Sequence, residues 1–138
     1  MLDTKTLILG GVRSGKSRLA ERLATESQFP VTYIATATIG DEEMRERIAA
    51  HRVRRPVHWQ VIEEPLALAS VLNQYTKADH CVLVDCLTLW LTNLLMHADA
   101  SRFDSERSAF FNVLPHLTGK LIPVSYTHLR AHETDSYL

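Results

Sequence analysis

Cysteine is scarce in this 138-residue sequence: there are two, Cys81 and Cys86. The chain does not open on a basic stretch followed by an apolar one, so no secretory signal is expected. Together these exclude a disulfide-stapled scaffold and predict two free, buried thiols beside one strand. Long hydrophobic runs are missing too. The richest stretch, around Leu87 to Met96, is interrupted by Thr88, Thr92 and Asn93 and is too short to span a bilayer. Neither sign of charge is in excess. Fifteen Lys and Arg stand against sixteen Asp and Glu, a formal net charge of −1, which removes the electrostatic grounds for a nucleic-acid or membrane-surface partner. What remains is an ordinary composition, 46% hydrophobic and 22% charged, in a chain long enough for one domain with a real core. The expected compartment is the cytoplasm.

The sequence is organised around one stretch, Gly10-Gly11-Val12-Arg13-Ser14-Gly15-Lys16-Ser17. It follows the short apolar run Thr6-Leu7-Ile8-Leu9 and precedes the helix-like Arg18-Leu19-Ala20-Glu21-Arg22-Leu23-Ala24. Strand, glycine loop, helix is the context in which the pattern G-x-x-x-x-G-K-S binds phosphate. Gly10 and Gly15 admit backbone angles and close approaches that a Cβ would block. Successive backbone N–H groups can then form a concave anion site at a helix N-terminus. Lys16 can reach β- and γ-phosphates, and the Ser17 hydroxyl can bind Mg²⁺.

Downstream, strand-like and helix-like segments alternate. They predict an α/β fold of the phosphate-loop NTPase type, a mostly parallel sheet with helices on both faces. Leu19, Ala20, Leu23 and Ala24 give the first helix its apolar stripe, and Val31 to Ala37 reads as a second strand. A helix is expected from about Asp41 to Arg52, with Met44, Ile48 and His51 on one face. Val57 to Ile62 is a third strand, and Pro65 opens a helix running to about Tyr75. Lys77 to His80 is a loop. Phe103 to Leu117 reads as a further helical segment and Leu121-Ile122 as the start of another core strand.

Cys81-Val82-Leu83-Val84-Asp85 reads as a buried parallel strand with a carboxylate at its C-terminal edge, where open α/β sheets bind their ligands. Two roles fit Asp85: a Mg²⁺-binding acid beside the phosphate loop, or a cap on the following helix, Leu87 to His97. Leu87, Leu89, Trp90, Leu91, Leu94 and Leu95 on that helix are assigned to the core. His51 also has two readings. It is either a packed or surface histidine, or a nucleophile, since neutral imidazole attacks phosphorus near neutral pH. Arg52, Arg54 and Arg55 either neutralise phosphate oxygens beside it or form a solvated basic turn.

Taken together, these blocks resemble the adenosylcobinamide kinase/adenosylcobinamide-phosphate guanylyltransferases of cobalamin biosynthesis. The similarity rests on Gly10 to Ser17 with Arg18 and Ala20-Glu21, on Tyr33-Ile34-Ala35-Thr36, on Asp41 to Met44, and on Arg47-Ile48 with His51. Arg55-Pro56 with His58-Trp59, Glu63-Glu64-Pro65, and Asp85-Cys86-Leu87-Thr88 with Asn93-Leu94-Leu95 also fit. It covers about Leu7 to Ile122. The resemblance implies a bifunctional enzyme. The terminal phosphate of ATP or GTP passes to the aminopropanol hydroxyl of adenosylcobinamide. The histidine matching His51 then attacks GTP, forms a GMP-histidine intermediate and releases pyrophosphate, and the GMP passes on to give adenosylcobinamide-GDP. The implied nucleotide contacts are Gly10, Gly11, Val12, Arg13, Ser14, Gly15, Lys16, Ser17, Thr36, Ala37, Thr38, Arg52, Val53, Arg54, Arg55, Glu63 and Asp85, with Ser17 and Asp85 toward Mg²⁺. A homo-oligomer is implied as well, a trimer being the expected form. The alternatives are a generic phosphate-loop small-molecule kinase with a structural His51, and an inactive nucleotide-binding fragment.

The last stretch breaks the pattern. Pro123 to Thr134 has no apolar period and no strand alternation after Tyr126. Val124 to Thr134 matches the translation of a DNA string common as a transposase-type sequencing-library adapter. Residues 1–122 are therefore expected to form a partial phosphate-loop domain, incomplete at its C-terminus. Residues 123–138 are expected to be a non-native, poorly packed tail. The Asn-Glu-Val-Gly block with which the family continues is not found here, and His128 and His132 are not read as a metal site.

Overall fold

The computed structural model describes residues 4–5, 8–11, 16–37 and 59–127, with side chains at residues 5, 19–37 and 59–125. Its apolar runs form a sheet in which every strand pairing is parallel. Across the sheet, β1 (Thr4–Lys5) and β2 (Ile8–Gly11) both lie against β6 (Lys120–Thr127). Then come β5 (Cys81–Asp85), β3 (Val31–Ala35) and β4 (Gln60–Glu63). β1 and β2 follow one register along β6, with Thr4 opposite Lys120 and Ile8 opposite Val124. At the centre, β3 and β5 pair from Val31 opposite Cys81 to Ala35 opposite Asp85.

Helices cover both faces, because strand side chains alternate between them. Ala20 and Ala24 of α1 (Lys16–Glu26) pack with Val31, Tyr33, Leu83 and Val124 on one side. Alanine at the contact lets the helix lie close to the strands. The other side is larger. There α2 (Leu68–Tyr75), α3 (Leu87–Leu95) and α4 (Ser101–Val113) bring Leu68, Leu72, Trp90, Leu94 and Phe110 over Ile34, Val82, Val84 and Leu121. The fold is thus α/β, a parallel sheet between helical layers.

Several boundaries differ from the sequence reading, each for a local reason. α2 starts at Leu68 rather than Pro65. The Glu64 carboxylate takes the N–H groups of Leu66 and Ala67 at 3.1 and 2.9 Å, making a turn of what would be the first helical residues. α3 is capped by Cys86, whose sulfur accepts from the Leu89 N–H at 3.4 Å, so Asp85 is not the cap. The expected helix from Asp41 to Arg52 lies outside the described residues. β6 does not stop at Ile122. It runs on to Thr127, with Val124 only 1% exposed and the Ser125 hydroxyl 2.6 Å from that of Thr88. The poor packing expected from Pro123 onward is therefore corrected for residues 123–127, where backbone pairing with β2 and β5 and the inward turn of Val124 hold the strand. Residues 128–138 lie outside the described ones.

Both cysteines are free and buried. Burial pushes the Cys81 thiol up to about 11, against smaller opposing effects of a Ser27 hydrogen bond and the Lys120 charge. It stays protonated at neutral pH and is inert as a nucleophile.

β3 and β5 are tied together beyond their last pair. The Thr36 N–H donates to the Asp85 carbonyl at 3.0 Å. The Thr36 hydroxyl donates to the Cys86 carbonyl at 2.8 Å and accepts from the Cys86 N–H at 2.9 Å. From α3, the Asn93 side-chain amide donates to the carbonyls of Thr36 and Pro65 at 2.8 and 3.1 Å, and Trp90 Nε1 donates to the Leu66 carbonyl at 2.8 Å. One helix thus fastens the segments that follow β3 and β4.

Two substitutions test this frame. Thr36→Val keeps the shape but strands a buried N–H, and should cost about 1–3 kcal/mol in urea unfolding, with Thr36→Ser recovering most of it. Gly119 enters β6 at φ +87°, and an added Cβ would run into the Lys77 carbonyl oxygen and lie 2.7 Å from that of His80. Gly119→Ala should therefore lower the unfolding free energy measured in urea by more than the roughly 1–2 kcal/mol of a left-handed alanine alone.

Candidate functional site

Because the described strands run one way, their C-terminal ends form a single edge, the place where open α/β sheets hold ligands. Gly11 ends β2, Asp85 ends β5 and Glu63 ends β4. The chain leaves β3 through Thr36 and Ala37. Register places Ala35 between Asp85 and Glu63. β2 projects further: Val124 pairs with both Ile8 and Asp85, so Gly11 stands three residues, roughly 10 Å, past the level of Asp85. The apolar Ile8-Leu9 pair thereby delivers Gly10 and Gly11 to the ligand edge, and α1 opens at Lys16.

Asp85 shares a face of the sheet with α1. Its alternate neighbours Cys81 and Leu83 belong to the core beneath that helix. The carboxylate is half-buried. Its Oδ2 accepts a hydrogen bond from the Tyr33 hydroxyl at 2.6 Å. Tyr33 pairs with Leu83 in the adjacent strand, so the contact runs diagonally to the residue two places on, a reach that an aromatic side chain can cover.

The residues singled out in the sequence fall into three groups. Gly10, Gly11, Glu63 and Asp85 are at the C-terminal edge, and Lys16 and Ser17 begin α1, their side chains outside the described ones. Val12, Arg13, Ser14, Gly15, Thr38, His51, Arg52, Val53, Arg54 and Arg55 lie outside the described residues. Thr36 and Ala37 point inward, at 0% and 6% exposed. Thr36 is corrected as a candidate nucleotide contact: its hydroxyl is spent on both backbone groups of Cys86. Tyr33 and Asn93 were not singled out as site residues. The signals were a phenol in an otherwise buried strand two places from the edge, and one amide on a largely apolar helix.

The donors at hand suit a hard cation. Asp85 offers carboxylate oxygen, and Ser17 stands at the start of the helix on the same face of the sheet. Among the described residues no group of three or more His, Cys, Asp and Glu could hold a metal ion. A cation here would thus complete its shell with phosphate and water oxygens, as Mg²⁺ does at nucleotide sites. Among the described residues, too, no helix is long and apolar enough to cross a membrane.

Residues 6–127 match the family model described as cobinamide kinase / cobinamide phosphate guanyltransferase. The bifunctional adenosylcobalamin biosynthesis protein CobP of Pseudomonas aeruginosa is 61% identical over 121 residues, which are 88% of this chain and 70% of that protein. The bifunctional adenosylcobalamin biosynthesis proteins CobU of Escherichia coli and Salmonella typhimurium are 45% and 43% identical over 89 residues, 64% of this chain. The aligned part is 49% of each of those two, so the match spans about half their length. A solved ATP synthase subunit, NeqB from Nanoarcheaum equitans, is similar with a TM-score of 0.61 at 12% identity, over 92% of this chain and 40% of that one. That likeness concerns the fold alone. The family match over most of the sequence and the high identity to the Pseudomonas protein agree, and this chain belongs to the cobinamide kinase / cobinamide phosphate guanyltransferase family of enzymes.

Proposed function

We propose that the protein is a bifunctional transferase of cobalamin biosynthesis that uses one nucleotide site for two reactions. In the first, the hydroxyl of adenosylcobinamide attacks the γ-phosphorus of ATP or GTP. An O–P bond forms, the bond to the nucleoside diphosphate breaks, and the hydroxyl proton is lost. In the second, an imidazole nitrogen of His51 attacks the α-phosphorus of GTP and pyrophosphate leaves. A phosphate oxygen of adenosylcobinamide phosphate then attacks the same phosphorus, the P–N bond breaks, and adenosylcobinamide-GDP is released.

The observation that carries this reading is the shared edge. Asp85 ends the central strand on the face covered by α1, the helix that opens with the Lys16-Ser17 of the glycine loop. Gly10 to Ser17 would cradle phosphates through backbone N–H groups and Lys16. Ala37, Thr38, Glu63 and Arg52 to Arg55 would complete the nucleotide site. Ser17 and Asp85 would hold Mg²⁺, which supplies charge neutralisation on the phosphates. A homo-oligomer, expected to be a trimer, and a cytoplasmic location belong to the same reading. So does a non-native origin for residues 123–138. Pro123 sits in β6 between β5 and β1/β2, where a residue without an N–H is out of place. The family match through residue 127 and the pairing of residues 123–127 in β6 count against that origin for those five residues.

Two measurements test these statements. Incubation with α-labelled GTP and Mg²⁺ should leave an acid-labile, base-stable label on the protein. His51→Asn should reduce the label to background while phosphoryl transfer to adenosylcobinamide persists. A label that survives this change would remove His51 as nucleophile; no label on a GTP-binding protein would leave a plain kinase. Recovery of the gene from genomic DNA should give a reading frame that diverges from this one after about codon 122.

A further inference from the structure

Tyr33 is 4% exposed in the middle of β3, among Val31, Thr32, Ile34 and Ala35. A phenol placed so deeply must satisfy its hydroxyl. An apolar core residue would need no such partner, and phenylalanine would fill the same space. Here the register brings the hydroxyl to the one carboxylate that ends β5, at 2.6 Å from Asp85 Oδ2. That is a short hydrogen bond between two oxygens. The bond restrains the rotation of the carboxyl group about its own axis, the freedom that otherwise decides which oxygen a ligand meets. The backbone of the same residue is held from β3 as well, through the Thr36 N–H on the Asp85 carbonyl and the Thr36 hydroxyl on Cys86. The restraints come from β3 and from the residue that follows it, and neither involves the glycine loop.

We infer that Tyr33 is a positioning residue for Asp85. Its hydroxyl fixes Oδ2 so that the other carboxylate oxygen, Oδ1, is presented to the divalent cation carried by the bound nucleotide. The inference rests on the reading of Asp85 as a cation ligand. A hydrogen-bond partner of this kind lowers metal affinity by roughly 10- to 100-fold when it is lost, because the ligand then has to be ordered at binding. A core tyrosine whose hydroxyl had merely found an acceptor would affect folding and leave metal affinity alone.

The test uses the 138-residue chain, Mn²⁺ as the probe cation and a non-hydrolysable GTP analogue, with free Mn²⁺ followed by electron paramagnetic resonance. Tyr33→Phe should weaken Mn²⁺ binding roughly 10-fold and leave the affinity for the analogue in EDTA unchanged. Asp85→Asn is the reference and should weaken it further. Mn²⁺ affinity in Tyr33→Phe equal to that of the unmodified chain, with Asp85→Asn impaired, overturns the role of Tyr33 and leaves the role of Asp85 standing. An unimpaired Asp85→Asn overturns both. Should Tyr33→Phe fail to fold, the unmodified chain labelled with ¹³C at tyrosine Cζ answers the same question. The Tyr33 resonance must shift when Mg²⁺ is added to the analogue-bound protein, and a resonance that stays in place overturns the inference.

Discussion

The register between β3 and β5 is the constraint on which the site depends. Both strands are buried on both faces, so each side chain has a place already shaped for it. A slip of β5 by one residue would turn Leu83 and Asp85 toward α2, α3 and α4, away from Tyr33, and would drive Val82 and Val84 under α1. The same pairing sets the diagonal from Tyr33 to Asp85 and lets the Thr36 N–H continue the ladder onto the Asp85 carbonyl. It also sets where the chain leaves β3, at the edge where Glu63 and Asp85 end their own strands. The chemistry of the edge is therefore inherited from packing some distance behind it.

Much of this was legible in the residues. Cys81 to Asp85 announces itself as four apolar positions followed by an acid, and the structure makes it the central strand. Leu19 to Ala24 carries a helical stripe, and α1 uses its alanines against the sheet. The family, too, was readable from separated blocks. What escaped was set by contacts distant in sequence or by side chains competing with the backbone. Glu64 takes two N–H groups that a helix beginning at Pro65 would have left for water, and α2 starts later. Cys86 caps α3 with sulfur, an acceptor too weak to stand out beside Asp85. Thr36 sits in a motif block at the ligand edge, which made it a plausible contact. Only the fold shows that Cys86, fifty positions away, takes both sides of its hydroxyl.

β6 shows how little a central strand asks of its sequence. Between β5 and β2 a segment must offer apolar side chains toward the helices and backbone groups toward its neighbours. Leu121, Ile122 and Val124 meet the first demand, each buried. Pro123, opposite Val84, cannot meet the second with an N–H. The strand forms nonetheless, since β-branched and aromatic residues on either side supply the extended backbone.

The sheet order has a further consequence, for the order in which the molecule can be assembled. The strand that leads into the glycine loop is near the beginning of the chain, and among the described residues its strand partner is β6, near the end. β3, β4 and β5 can find one another as they emerge from the ribosome. β2 must wait, because parallel contacts of such long range close only after the intervening chain exists. A nascent chain halted before Lys120 carries all of Gly10 to Ser17 yet lacks the strand with which β2 pairs.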